Sequence, residues 1–147
     1  LPGTQAGSIY LYNTGADTIA SGENVSFDQG SIPSVFPVLG MTFIAPDSIQ
    51  LTLPGTYRVD YLLIPTQVYT TLALFLNDTE VPGSRYTTNV PPSPVDGTVI
   101  FTLEAVDVPV VLTLRNVDPM NSATLVVGQL PNTVNASLLI TAIDIEP

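Results

Sequence analysis

The feature that most limits what this chain can become is the spacing of its helix breakers. Fourteen prolines and ten glycines recur so often that the apolar segments between them have the length of strands and leave no room for amphipathic helices. Several of these segments alternate with period two. Ile49-Gln50-Leu51-Thr52-Leu53 does so, and beyond Pro54-Gly55 the run Tyr57 to Ile64 sets Tyr57, Val59, Tyr61 and Leu63 on one face and Arg58 and Asp60 on the other. With Pro54-Gly55 between them, the two runs are expected to form a hairpin. Leu72, Leu74 and Leu76 share a face ahead of an Asn77-Asp78 turn and Thr79-Glu80-Val81, which predicts a second hairpin. Val99, Phe101 and Leu103 form another face, followed by Val110, Leu112 and Leu114. Shorter strands are expected at Ser8 to Tyr12, Gly22 to Phe27, Met41 to Ala45 and Thr124 to Val127. The stretch Asn89 to Gly97 carries Pro91, Pro92 and Pro94, lacks donors a central strand needs, and reads as a surface loop.

The last segment, Ser137 to Ile145, is apolar on both faces. Leu139, Ile143 and Ile145 fall on one side and Leu138, Ile140 and Ala142 on the other. Such a strand needs cover twice. An opposing sheet supplies one cover, and a neighbouring subunit is expected to supply the other, so the chain should associate. About eight to ten strands around one core give an all-β, antiparallel jelly-roll sandwich. An immunoglobulin-like sandwich is the alternative, although its buried Trp and disulfide are missing. At 147 residues one domain is expected, with residues 1–7 as a tail or stalk junction and 8–147 as the head.

Composition removes most chemistry. The chain has no His, Cys, Trp or Lys, and 13 acidic residues face only Arg58, Arg85 and Arg115, for a formal net charge of -10. Without His or Cys there is no serine–histidine or cysteine–histidine nucleophile, zinc finger or thiol-redox site, and without Lys no Schiff base or Walker lysine. No catalytic residue, cofactor or enzyme activity is expected. A field this negative repels phosphate backbones and anionic lipid, so neither nucleic acid nor a membrane is an expected partner. No apolar run reaches the length of a membrane span, and Leu1-Pro2-Gly3-Thr4 lacks the basic flank of an export signal. Aspartates at 17, 28, 47, 78, 96, 107, 118 and 144 offer oxygen ligands, but in no EF-hand spacing; no metal residue is assigned, and a structural calcium ion is left open.

Tyr57, Tyr61, Leu138, Leu139, Ile140, Ile143 and Ile145 are the candidates for the core or a subunit interface, and Tyr69, Tyr86 and Arg85, near turns, for surface recognition of a protein or glycan. Arg58 and Asp60 form a same-face pair, directed to solvent or to a subunit contact. Three Asn-X-Ser/Thr motifs stand at Asn24-Val25-Ser26, Asn77-Asp78-Thr79 and Asn135-Ala136-Ser137.

The paired segments Gly40-Met41-Thr42-Phe43-Ile44 and Leu53-Pro54-Gly55-Thr56-Tyr57-Arg58-Val59-Asp60-Tyr61, then Leu74 to Tyr86, Val111 to Asn116 and Asn135 to Ile140, resemble in order and spacing the C1q/TNF-like C-terminal domains of Bacillus collagen-like spore-surface (exosporium) glycoproteins. The resemblance spans about Ser8 to Ile145 and includes the opening Ser8-Ile9-Tyr10-Leu11-Tyr12-Asn13. It implies a jelly roll of which three copies form a head after a collagen-like stalk, an extracellular place on the spore surface, and assembly as the activity. No collagen tract is in view, and Pro91-Pro92-Ser93-Pro94 departs from the family pattern. Related folds occur on viral fibres, so a virion-surface, host-facing recognition module is the alternative.

Overall fold

Strands form wherever apolar and polar residues alternate, and the breakers set where each one stops. The computed structural model describes residues 7–30, 40–66, 69–88 and 93–145. Among them run β1 (Gly7–Asn13), β2 (Thr18–Ile19), β3 (Gln29–Gly30), β4 (Met41–Ile44), β5 (Ser48–Leu51), β6 (Gly55–Leu63), β7 (Thr70–Leu76), β8 (Thr79–Glu80), β9 (Tyr86–Thr88), β10 (Val95–Leu103), β11 (Val110–Asn116), β12 (Ala123–Thr124) and β13 (Ala136–Ile145). A single 3₁₀ turn, Ala105–Asp107, links β10 to β11, and no α-helix forms among the described residues.

The strands make two antiparallel sheets in a jelly-roll arrangement. The first has the order β10-β6-β13-β1-β3; the second runs β4-β5-β11-β7-β8, with β9 also paired to β7, while β12 and β2 form a small ribbon. In the first sheet Ile9, Ile140, Val59 and Val99 lie in one register row, and Leu11, Leu138, Tyr61 and Gly97 in the next. These rows face Ile49, Leu51, Leu72, Leu74, Leu112 and Leu114 of the second sheet, all fully buried. Burying one such Leu or Ile contributes about 1.5–3 kcal/mol, against about 0–1 kcal/mol for an exposed ion pair. The interior therefore holds the sandwich together, and the arginines do not.

Four expectations are corrected by the topology. The runs around Pro54-Gly55 do not form a hairpin, because β5 belongs to the second sheet and β6 to the first. Gly55 carries the crossing at φ 153°, and a Cβ there would lie 2.9 Å from Ile145 Cα, so the chain changes sheets hard against β13. Alternation reports which face of a strand is buried and says nothing of its neighbour. Val95, Asp96 and Gly97 open β10 and are not loop; residues 89–92 of that expected loop lie outside the described residues. β10 is an edge strand, which is why Pro94 can stand directly before it. The Gly22 to Phe27 segment is held mainly by one bridge, Asn24 with Arg115, and by Val25 N–H donating to Leu114 O at 2.7 Å. Finally, a bulge between Ala142 and Asp144 shifts the register of β13 on β6. It turns Ile145 inward to 1% exposure while Ile143 stays 46% exposed, so the two do not share a face.

Candidate assembly face

The inward rows of the first sheet fix what its other face presents. One outward row reads Tyr10, Leu139, Asp60, Thr98; the next reads Tyr12, Ser137, Leu62, Asp96; a third reads Ser8, Thr141, Arg58, Ile100. Tyr10 and Tyr12, two apart on β1, stack with ring centroids 5.4 Å apart. Leu139 and Leu62 are half-buried beside them, and Ile100 and Ile143 are exposed. A cavity of about 460 Å³ opens on this face, lined by Tyr10, Asp60, Leu62, Asp96, Ser137 and Leu139 among others. On the same face Arg58 pairs with Asp60 at 3.2 Å, and Thr98 Oγ1 donates to Asp60 Oδ1 at 2.7 Å. Aromatic and aliphatic groups thus share this face with the Arg58–Asp60–Thr98 cluster and with outward Ser8, Asp96, Ser137 and Thr141.

Of the candidate core or interface residues, Tyr57, Tyr61, Leu138, Ile140 and Ile145 point inward, whereas Leu139 and Ile143 point outward. Tyr57 stacks on Phe101 and donates its hydroxyl to Leu53 O at 2.7 Å. Tyr61 reaches across to the second sheet, where its hydroxyl donates to Ser84 O at 2.8 Å and also lies 3.2 Å from Leu72 O. Burial raises both phenols above their ordinary value, Tyr61 strongly. Ser84, itself fully buried, accepts Leu74 N–H on its hydroxyl at 3.0 Å and donates to Val81 O at 2.6 Å.

Tyr86 belongs to the same clasp. Its ring meets Tyr61 edge-on at 5.9 Å, and its hydroxyl donates to Thr98 O of β10 at 2.9 Å. Gly97 makes room for both rings: a Cβ there would stand 2.7 Å from Tyr61 Cζ and collide with the Tyr86 ring. Tyr86, a candidate for surface recognition, is therefore engaged in bridging the open side of the sandwich while 37% exposed. Tyr69 is 60% exposed at φ 62° next to β7. Arg85 forms a fork with Glu80, Nε to Oε2 at 3.1 Å and the terminal nitrogen to Oε1 at 2.6 Å, and that hydrogen bonding holds the Glu80 carboxyl below its ordinary value. The third cation, Arg115, lies 4.0 Å over the Phe75 ring and joins Asn24 to Asp78. All three arginines are thus paired with carboxylates, which leaves the net negative charge to dominate the surface.

Sequence reasoning passed over Leu62 and Ile100 as face residues, and it set Tyr10 and Tyr12 no higher than the other tyrosines that could stack on a sugar or line an interface rim. The signal was present in Ser8-Ile9-Tyr10-Leu11-Tyr12, where aliphatic residues take one side and aromatic residues the other. It also passed over buried polar anchors such as Asn13, whose Nδ2 donates to Asn135 Oδ1 at 2.9 Å. Among the described residues no group of three or more Asp or Glu is placed to hold a metal ion, and no helix is long and apolar enough to cross a membrane.

No family model matches the sequence, and no curated protein is similar to it. Solved structures are similar in shape. Eiger TNF from S. frugiperda aligns with TM-score 0.66 and 13% identity over 99% of this chain and 96% of its own. Murine APRIL at pH 5.0 aligns with TM-score 0.64 and 11% identity over 95% of this chain and 100% of its own. PRD1 vertex protein P5 aligns with TM-score 0.53 and 16% identity over 98% and 97%. At these identities the likeness is one of fold, and it extends across the sandwich: the chain is an all-β, antiparallel jelly roll of the TNF-like kind.

Proposed function

We propose that this chain is a structural head domain that forms a homotrimer through the outer face of its first sheet. The observation that carries the reading is that face itself, where the Tyr10–Tyr12 stack, Leu62, Leu139, Ile100 and Ile143 lie on the same side as an Arg58–Asp60–Thr98 cluster whose two charges pair with each other. Among the described residues no third layer of strands covers it. Apolar burial would drive association, and the surplus of unpaired carboxylates elsewhere would limit nonspecific contact. The resemblance to collagen-like spore glycoproteins supports a place at the tip of a collagen-like stalk on the spore surface. A second reading, a virion-surface head that meets a host protein or glycan, is favoured by the likeness to a vertex protein over nearly the whole chain.

Light scattering tests assembly. The wild-type chain should run at three times its 15.6 kDa mass at micromolar concentration, and Leu139→Asp, half-buried and outward in the protomer, should leave a folded monomer. A wild-type monomer at that concentration overturns the trimer. A Gly-X-Y tract encoded upstream supports the stalk, and a neighbouring capsid or fibre gene supports the virion.

A further inference from the structure

We propose that Asn77 is the N-glycan acceptor of this domain, the one Asn-X-Ser/Thr motif of the three that can carry a sugar in the folded state. An N-linked glycan is bulky and strongly hydrated, so its asparagine must present the amide nitrogen to solvent. Asn135 cannot. It is 1% exposed, its Nδ2 donates to Gly15 O at 2.9 Å, and its Oδ1 accepts from Asn13 at 2.9 Å. Asn24 is half-buried with both ends of its amide engaged: Nδ2 donates to Asp47 Oδ2 at 3.0 Å, and Oδ1 accepts from Arg115 Nε at 3.1 Å. A glycan on that nitrogen would have to be seated in a half-buried cluster, beside Asp47 and Arg115.

Asn77 stands differently. It and Asp78 form the two-residue turn between β7 and β8, at φ 48° and 66°, a left-handed pair that Asn and Asp tolerate better than other side chains. Residues 77, 78 and 79 are all exposed. Its Oδ1 accepts Val111 N–H at 2.9 Å, so the carboxamide is anchored through its oxygen, the atom a glycan does not use. The turn also ends two strands of the second sheet, off the outer face of the first, so a glycan there is compatible with the proposed trimer.

The chemistry needs a lipid pyrophosphate-linked oligosaccharide and its transferase. The bond from sugar C1 to Asn77 Nδ2 forms, the bond from C1 to the pyrophosphate oxygen breaks, the lipid pyrophosphate leaves, and one amide proton passes to a transferase base.

The full chain, fused behind a secretion signal and produced in a eukaryotic secretory host, provides the test through intact mass before and after peptide-N-glycosidase. One glycan-sized increment is expected. It should vanish in Asn77→Gln and Thr79→Ala, and persist in Ser26→Ala and Ser137→Ala, which erase the other two motifs while keeping the Asn24 and Asn135 hydrogen bonds. A secreted, folded protein with no increment, or one whose enzymatically converted Asp maps to position 24 or 135, overturns the assignment. If a variant is not secreted, the mapped site in the parent protein decides the matter alone.

Discussion

Replacing Tyr61 by Phe isolates the contact that closes the open side of the sandwich. The ring and its burial remain, and only the hydroxyl is lost, so the carbonyl of fully buried Ser84, 2.8 Å away, is left without that donor inside the core. Stranding a buried acceptor costs about 1–3 kcal/mol. For a domain of this size each kcal/mol moves Tm by about 2–4 °C, so the fall should be about 2–12 °C. Tyr57→Phe is the internal control. Its hydroxyl serves Leu53 O, and Leu53 is half-buried, so water can take over and the loss should be smaller. Calorimetry at one fixed protomer concentration is the assay, because melting of an assembly depends on concentration. If Tyr61→Phe melts within about 1 °C of wild type, or falls no further than Tyr57→Phe, the cross-sheet bond is not holding the two layers and the argument fails.

Three further outcomes follow from the same packing. Gly97→Ala should lower Tm by about as much as overpacking a core usually costs, ~1–3 kcal/mol, and loosen the Tyr61–Tyr86 contact; unchanged melting and tyrosine fluorescence would contradict the close approach. Ile140→Asp, at 0% exposure, should abolish folding by burying an unpaired charge, whereas Ile143→Asp, 46% exposed, should fold and give normal circular dichroism; equal effects would reject the register of β13. Asp118 accepts Met120 N–H and Asn121 N–H, both at 2.9 Å, and the Met120 bond leads in holding its carboxyl below the ordinary 3.8. Its stabilisation is present at neutral pH and is lost as pH falls below 3.8 and through the lowered folded value. The Tm advantage of wild type over Asp118→Asn should therefore shrink in that acid window, and a gap that holds constant through it counts against the anchor.

Legibility differed between faces and partners. The inward set of β6, Tyr57, Val59, Tyr61 and Leu63, could be read directly because a period of two admits one solution when one face is dry. The partner of that strand could not, since Pro54-Gly55 fits a reversal and a crossing equally well and only the third dimension separates them. Ile145 was misplaced because a bulge adds a residue without any mark in composition. Prolines at 91, 92 and 94 outweighed the Val95-Asp96-Gly97 start of β10, although an edge strand tolerates a proline beside it. At the proposed interface, Leu139 and Ile143 stood out because the last strand is apolar twice over. The tyrosines of β1 did not, because tyrosine suits a core and a rim alike.

The place of β13 sets the order in which the molecule can be made. It lies between β1 and β6, although it follows every other described strand of the domain out of the ribosome. Until then the nascent chain holds two apolar strands whose shared partner does not yet exist, and the first sheet cannot close however long synthesis pauses. Closure therefore waits on the most C-terminal strand of the domain, is slowed by contacts that span it, and leaves the waiting strands exposed meanwhile to edge-to-edge pairing between neighbouring nascent copies. A ribosome that stops before Ala136 releases the second sheet's strands with half a sandwich to pack on, which makes the last ten residues of the fold its checkpoint for quality control.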